Sequence, residues 1–507
     1  MISVGSLCRP RLGQILSQAA RFGDHDVFLT DCTDDVEKLR AGQIYVAVVR
    51  ADRDGHDEIT RAVRHGASAV VAERYVSVPV PLYVVQDTRE ALGTLHHARA
   101  GNPCQHLFTA AVAGQHGKSS TCHLATSVLH ESGRAAACGT NWPADKSGWP
   151  DLGVLGRSGS SSVAQALAKW QRAGGQAAVL ECDHAGLLER RWAGTKLDAA
   201  VVTDTRGWQA RPHYLDQQAP QQMLERLAAL LKPGRPLVLS ADTPSLLADA
   251  QRLGCATVSY GLSPDADVWG KLVERDVAEQ TFLLTIRDQT VPVRTATVGD
   301  WWIRHCLAAA AIGWVAGASI AEIARGLERL PRLPARLERL VCGQPFNLFL
   351  DHSRRADRFL EMLRTLRQLT SGRLWCVFAL DESVPPAERS RWGRVAERFC
   401  DAAILTANRK NSTALYSIYH DVLDGYHRPA RGHLIADPLK ALRFVFHRAS
   451  PGDTILLSSG TAHGSGPFWW PCTDQIALLL RELDETTELR EVTEADPKPV
   501  IYKFPGC

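Results

Sequence analysis

Six consecutive residues, Gly114-Gln115-His116-Gly117-Lys118-Ser119, have the types and spacing that hold a nucleoside triphosphate. Glycines let backbone N–H groups turn inward toward phosphate oxygens. Lys118 adds a point charge for the β- and γ-phosphates, and the Ser119 hydroxyl can reach Mg²⁺. The pattern is a short G-x-x-G-K-S, because the longer phosphate-loop signature wants glycine where Val112 stands. The competing reading is a chance glycine-rich turn with an exposed lysine. Context argues against it: the run Leu107 to Ala113 reads as a buried strand and Ser119 to Ser132 as a helix. A phosphate loop belongs between those two elements, where the helix N-terminus adds partial positive charge.

The elements around the loop set the fold class. Before it, Gln43 to Val49, Ala69 to Ala72 and Leu82 to Val85 read as strands, with a helix from Asp57 to His65 between the first two. After it come strands at Ala177 to Glu181, Ala199 to Thr203 and Pro236 to Ser240, a helix at Gln221 to Lys232, a short β excursion over Asp267 to Thr297, and a helix at Trp301 to Ala316. Beyond Leu330-Pro331-Arg332-Leu333-Pro334, which reads as a proline-marked hinge, strands at Phe346 to Leu350, Leu374 to Ala379, Ala402 to Thr406, His433 to Ala436 and Thr454 to Ser458 alternate with helices such as Ala356 to Leu369 and Pro438 to Arg448. Strands alternating with helices predict mostly parallel sheets. The expected architecture is α/β in three domains: 1–105, a small α/β domain; 106–334, a central doubly wound parallel sheet with the P-loop; and 335–507, a C-terminal Rossmann-like α/β domain.

Bulk properties narrow the function classes. The 507 residues are 45% hydrophobic and 22% charged, ordinary values for a globular chain. A net charge of +3 is too balanced to make nucleic acid or an anionic membrane the main partner. The most membrane-like stretch, Cys306 to Ile323, is rich in Ala and Gly, carries Glu322, and reads as a buried helix. Met1 to Pro10 lacks a charged-then-apolar signal pattern, so the expected location is the cytoplasm. The 13 cysteines are scattered singly, without a C-x-x-C pair or zinc spacing, and read as small core residues.

The whole layout resembles the Mur ligase family, and within it the MurE type, the UDP-N-acetylmuramoyl-tripeptide synthetases. Leu39 to Ala47, Asp54-Gly55-His56-Asp57 and Gly66 to Val71 are similar to that family's UDP-sugar-binding domain. Ala113 to Thr121 resembles its G-T-N/H-G-K-T-T loop, and Gly139-Thr140 the Gly-Thr that ends the next strand. Leu180-Glu181 resembles the strand end that carries a Mg²⁺-binding glutamate. Leu333 to Arg339 looks like the P-G-R-x-E hinge, Phe349-Leu350-Asp351-His352 like the D-Y-A-H segment, Ser450 to Leu457 like the P-G-D run, and Gly460 to Gly464 like the terminal G-K-G-H-E. Each match is weak alone, but they occur in order along nearly the full length.

The resemblance implies an ATP-dependent ligase. A UDP-MurNAc-peptide carboxylate attacks ATP to give an acyl phosphate, and an amino acid's amine then displaces phosphate to form an amide. It assigns nucleotide contacts to Gly114, Gln115, His116, Gly117, Lys118, Ser119, Ser120, Arg336 and Asp351, and Mg²⁺ to Ser119 and Glu181. Lys118 and Glu181 are then catalytic, because Lys118 and the Mg²⁺ that Glu181 binds neutralise charge in phosphoryl transfer. His184 follows close behind Glu181, where it could hold a metal or substrate group or serve as a hydrogen-bonded structural histidine. A monomer is expected.

The chain also departs from the family. The helix that should carry a carbamylated lysine has none in its body: Lys232 comes at its end, and Glu225 stands nearer the expected place, where a carboxylate of shorter reach could substitute. Arg206-Gly207-Trp208 replaces a D-H pair, Trp302 and His305 replace asparagines that meet the adenine, and Arg354 replaces the D-Y-A-H histidine. Asn408-Arg409-Lys410-Asn411 replaces the D-N-P-R that binds diaminopimelate, and Thr461 replaces the terminal lysine. Two further readings therefore stand beside an active ligase: a catalytically impaired paralogue that binds ATP or a UDP-sugar in a regulatory or scaffold role, and a cyanophycin- or folylpolyglutamate-type ligase on the same fold. The UDP-binding-like N-terminal domain argues against the last.

Overall fold

A computed structural model describes residues 10–50, 52–140, 149–153, 155, 159–204, 219–330, 332–353, 355–407, 414–459 and 476–481. Three sheets organise them. The first contains β1 (Ala20–Phe22), β2 (Cys32–Thr33), β3 (Ile44–Val46), β4 (Ala69–Ala72) and β5 (Leu82–Val84), in the order β1-β5-β4-β3-β2. Only the β1–β5 pair is antiparallel. The expected helix Asp57 to His65 begins instead as a 3₁₀ turn, Gly55–Glu58, and becomes α-helical over Ile59–Arg64. The Asp54 carboxylate accepts the His56 N–H and starts the tighter turn.

The second sheet holds β6 (Phe108–Ala113), β7 (Ala136–Gly139), β8 (Ala177–Glu181), β9 (Ala199–Val202), β10 (Leu237–Ser240), β11 (Thr257–Gly261), β12 (Val268–Arg275), β13 (Gln280–Ile286) and β14 (Gln289–Thr295). Its order is β14-β13-β12-β11-β10-β9-β6-β8-β7. Strands β7 through β12 pair in parallel, and β12–β13–β14 form an antiparallel meander, the β excursion. Strands covered on both faces read as continuous apolar runs, which is why β6, β8 and β9 were legible. One face packs on helices Ser160–Arg172, Ala219–Leu230 and Pro244–Arg252, through Val163, Leu167, Leu224, Leu227 and Leu246.

Three further helices, Lys118–Glu131, Asp300–Val315 and Ile320–Arg329, pack together beside the loop. The first follows the phosphate loop and is buried from Ser120 to Leu129. Two glycines let the others approach it. A Cβ on Gly313 would lie 2.4 Å from the Val128 side chain, and one on Gly326 would lie 2.5 Å from the Val128 Cα. The Ser127 hydroxyl donates to the Gly326 carbonyl at 2.6 Å, fixing the crossing. The stretch Cys306 to Ile323 is thus two helices broken at Gly317 (φ +87°), and among the described residues no helix is long and apolar enough to cross a membrane.

The third sheet contains β15 (Glu338–Leu340), β16 (Asn347–Asp351), β17 (Leu374–Ala379), β18 (Ala402–Thr406), β19 (His433–Leu434) and β20 (Thr454–Ser459), in the order β15-β16-β20-β17-β18-β19. All neighbours are parallel except β15–β16. The chain forms two compact units. One comprises Met1–Arg275, Glu279–Ala296 and Asp300–Leu333; the other comprises Asp276–Ala278, Thr297–Gly299 and Pro334–Cys507. The first two sheets share a unit, and the Thr88–Arg99 helix reaches the second sheet's surroundings at Gly93, where a Cβ would lie 2.4 Å from Ala193.

Gly326→Ala should lower stability by ~1–3 kcal/mol despite alanine's better helix propensity, because the methyl meets backbone that cannot yield. The expected readout is an earlier midpoint in urea unfolding. An unchanged midpoint would show that the contact is slack.

Candidate active site

The loop Gly114–Ser119 leaves the carboxyl end of β6, with β8 on one side and β9 on the other. The chain runs from β6 out to β7 and back to β8, then crosses to β9. Open α/β sheets bind ligands in the crevice that such a switch point creates. Gly114 (φ +125°) and Gly117 (φ +82°) take backbone conformations that side chains resist. Space forbids side chains there as well. A Cβ on Gly114 would stand 2.3 Å from the Thr203 hydroxyl oxygen, and one on Gly117 would stand 2.0 Å from His305 Nε2.

Thr203, just past β9, holds the loop from beneath. Its hydroxyl lies 3.1 Å from the Ala113 carbonyl and 2.5 Å from that of His116. The Gln115 N–H donates to the Asp204 carbonyl at 2.5 Å. Lys118 starts the helix, one residue earlier than expected, because Gly117 in its left-handed conformation serves as N-cap. The ammonium donates to the carbonyls of Gly114 (3.0 Å) and Gln115 (3.3 Å), which keeps it over the loop. Ser120 turns inward and is buried.

Ser119 and Glu181, 62 residues apart, meet directly. The Ser119 hydroxyl donates to Glu181 Oε2 at 2.6 Å. Glu181 ends β8, pairs in register with Val112 and is only 5% exposed. A hydroxyl and a carboxylate are hard oxygen donors, the set Mg²⁺ prefers when phosphates and water complete its shell. Among the described residues no cluster of three or more His, Cys, Asp or Glu side chains could enclose a metal, so this pair suits a shared phosphate–metal site rather than a protein cage. Nearby thiols are inert. Burial, reinforced by the charges of Glu181 and other neighbours, pushes Cys122 and Cys182 well above the ordinary thiol range.

His184 opens the five-residue helix His184–Leu188 directly beyond Glu181 and is half-buried, with Asp183 capping the turn through the Gly186 N–H. Arg336 and Asp351 belong to the second unit and sit together there: the Arg336 guanidinium donates to the His352 carbonyl at 3.2 Å.

The departures resolve unevenly. Lys232 donates to Asp198 Oδ2 at 2.7 Å, and the same oxygen accepts the Thr109 N–H at 2.9 Å. Thr109 lies near the start of β6, so Lys232 works at the end of the sheet opposite the loop. Glu225 is exposed and accepts from Gln221 of its own helix. Lys232 is thus held away from the loop. Trp301, Trp302 and His305 form an edge-on aromatic group, with centroids 5.5–6.2 Å apart, in the first turns of Asp300–Val315. Its His305 walls the loop at Gly117, a contact 188 positions distant that only the family position of His305 hinted at. Thr203 carried no sequence signal beyond ending a strand. Arg206-Gly207-Trp208, Arg354, Asn408 to Asn411 and Gly460 to Gly464 lie outside the described residues.

Comparison with known proteins gives a consistent answer. The Mur ligase middle domain model matches residues 112–313, and the model of the Mur ligase glutamate ligase domain matches residues 335–460. A UDP-N-acetylmuramoyl-L-alanyl-D-glutamate–2,6-diaminopimelate ligase of Bacillus licheniformis is 27% identical over 454 residues, covering 87% of this chain and 91% of that protein. A UDP-N-acetylmuramyl-tripeptide synthetase of Roseiflexus sp. is 29% identical over 482 residues, covering 89% and 94%. The solved structure of a UDP-N-acetylmuramoyl-L-alanyl-D-glutamate–2,6-diaminopimelate ligase matches with a TM-score of 0.68 at 21% identity, over 94% of this chain and 99% of that one, a likeness of fold.

Lys232→Ala should cost ~1–3 kcal/mol of stability, since it leaves Asp198 with fewer partners. ATP affinity should stay within about two-fold, because the pair is remote from the loop. Chemical denaturation and calorimetric titration read the two effects separately. A large loss of affinity without destabilisation would return Lys232 to the site.

Proposed function

Because the chain belongs to the Mur ligase family, we propose that it is an ATP-dependent amide ligase that adds an amino acid to a UDP-MurNAc-peptide during peptidoglycan precursor synthesis in the cytoplasm. The observation that carries this reading is the Ser119–Glu181 contact beneath a glycine loop with Lys118 at its rim. The three sheets then correspond to three domains, 1–105, 106–334 and 335–507.

The chemistry follows from the difficulty of the reaction. A carboxylate is a poor electrophile toward an amine. Its oxygen attacks the γ-phosphorus of ATP, the bond to the β–γ bridging oxygen breaks, and ADP leaves. The amine nitrogen then attacks the acyl carbon, loses a proton and expels inorganic phosphate. Both steps pass negative charge between oxygens, so fixed positive charge lowers the barrier. Lys118 supplies one such charge at the loop. Ser119 and Glu181 would hold Mg²⁺, which when bound supplies further charge neutralisation. Gly114, Gln115, His116, Gly117 and Ser120 form the cradle. His184, beside Glu181, is assigned to substrate or metal, and Arg336 and Asp351 to the nucleotide.

Supporting the ligase reading over a binding-only paralogue, both family models, over residues 112–313 and 335–460, carry ligase names, and so do relatives that cover 87% and 89% of this chain. Purified protein with ATP, Mg²⁺, a UDP-MurNAc-dipeptide and a panel of amino acids that includes diaminopimelate and lysine should release ADP only when one acceptor is present. Lys118→Ala should lower kcat/KM by about 100- to 1000-fold. ATP binding without ADP release for any acceptor would overturn ligation in favour of a binding role.

A further inference from the structure

The phosphate loop rests on a segment that is itself held from further across the second sheet. Thr203 and Asp204 follow Val202, the last residue of β9 that pairs with β6 and β10. They grip the loop beyond the end of the strands. The Thr203 N–H donates to the Ala113 carbonyl at 2.9 Å, the Thr203 hydroxyl lies 2.5 Å from the His116 carbonyl, and the Gln115 N–H donates to the Asp204 carbonyl at 2.5 Å. The direction of the loop amides therefore follows the position of residues 203 and 204.

Tyr260 fixes that position. It lies in β11, in register with Ser240 of β10 and two strands away from β9. Its ring is buried, and its hydroxyl reaches the carbonyls of Val202 at 2.9 Å and Thr203 at 3.0 Å. The Thr203 carbonyl lies past the strand pairing, where a buried acceptor needs a donor from a side chain. The two carbonyls stand on either side of the Thr203 Cα, so one phenol holds both peptide planes from which the Thr203 side chain springs. Burial, reinforced by the charges of Asp204 and Asp242, pushes the phenol well above its ordinary range, so it stays protonated and a donor near neutral pH. A phenylalanine would fill the same space; the hydroxyl is what this position adds.

We propose that Tyr260 is a positioning residue for nucleotide binding: acting through Thr203, it holds the phosphate loop with its amides turned toward the phosphates of a nucleoside triphosphate, and it touches no ligand itself. The role in binding rests on the nucleotide-binding reading given above. The relay from Tyr260 through Thr203 to the loop does not.

The test uses the full chain, with ATP dissociation constants from calorimetry at a temperature where circular dichroism shows each variant folded. Tyr260→Phe keeps the ring and removes one hydroxyl. It should weaken ATP by about three- to ten-fold. A tyrosine that served stability alone would lower the unfolding midpoint and leave affinity untouched, so a folded Tyr260→Phe protein with wild-type affinity would overturn the proposal. Thr203→Val should weaken ATP to a similar degree, whereas Thr203→Ser, which keeps the hydroxyl, should stay within about two-fold of wild type. Equal affinities in those two variants would also overturn it. When Tyr260→Phe and Thr203→Val are combined, the loss should be smaller than the product of the single losses, because one residue acts through the other. Losses that multiply would mean that Tyr260 acts independently of Thr203, against the proposal. Hydrogen exchange in a peptide spanning residues 113–117 needs no nucleotide. The Gln115 amide should exchange about ten-fold faster in Tyr260→Phe than in wild type. Equal rates would remove the relay. Wild-type protein that binds no ATP but shows this difference in exchange would defeat the nucleotide reading and leave the relay standing.

Discussion

The phosphate loop is confined by what lies immediately outside it. Thr203 stands where a side chain on Gly114 would go, and the His305 imidazole stands where one on Gly117 would go. The two glycines therefore do more than supply positive φ. They let the strand end β9 and the helix Asp300–Val315 close on the loop from two sides, so its amides and the Lys118 ammonium have fixed directions before any ligand arrives. Preorganised charge of this kind is what phosphoryl transfer requires. The same economy of side chains extends along the following helix, where Gly313 and Gly326 allow two neighbouring helices to pack on Val128. A loop anchored to a helix held at that distance cannot drift relative to Glu181.

Charge in the first unit is distributed by position along the strands. At the carboxyl ends of β6 and β8, Lys118, Ser119 and Glu181 share the crevice. At the opposite end, the buried Asp198 gathers the partly buried Lys232, the exposed Arg235 and the Thr109 amide into a network that ties the helix end to the sheet. A strand of six residues separates the two ends by roughly 15–20 Å. Lys232, at the end of its helix, is therefore a structural lysine, and Glu225 is exposed.

Much of the architecture was legible because it is local and periodic. Strands buried on both faces print as unbroken apolar runs, so Ala69–Ala72, Ala177–Glu181, Leu374–Ala379 and Ala402–Thr406 fall at the expected residues. Element ends were less legible, because they turn on single capping contacts. Gly117 begins the loop helix at Lys118, and Asp54 converts the start of an expected α-helix into a 3₁₀ turn. The apolar stretch Cys306 to Ile323 read as one helix because its composition is uniform; Gly317 divides it.

From the sequence alone came the triphosphate loop, the alternation of strands and helices and the order of motifs that resembles a ligase, since each depends on residues close together in the chain. Tertiary structure decided which distant residues meet: Ser119 with Glu181, Gly117 with His305, Lys232 with Asp198, and Asp351 with the Leu337 amide. Those pairings set whether a charged side chain serves the reaction or the scaffold. They depend on sheet order and on helix approach distances of a few ångströms, and neither is written in any local stretch of residues.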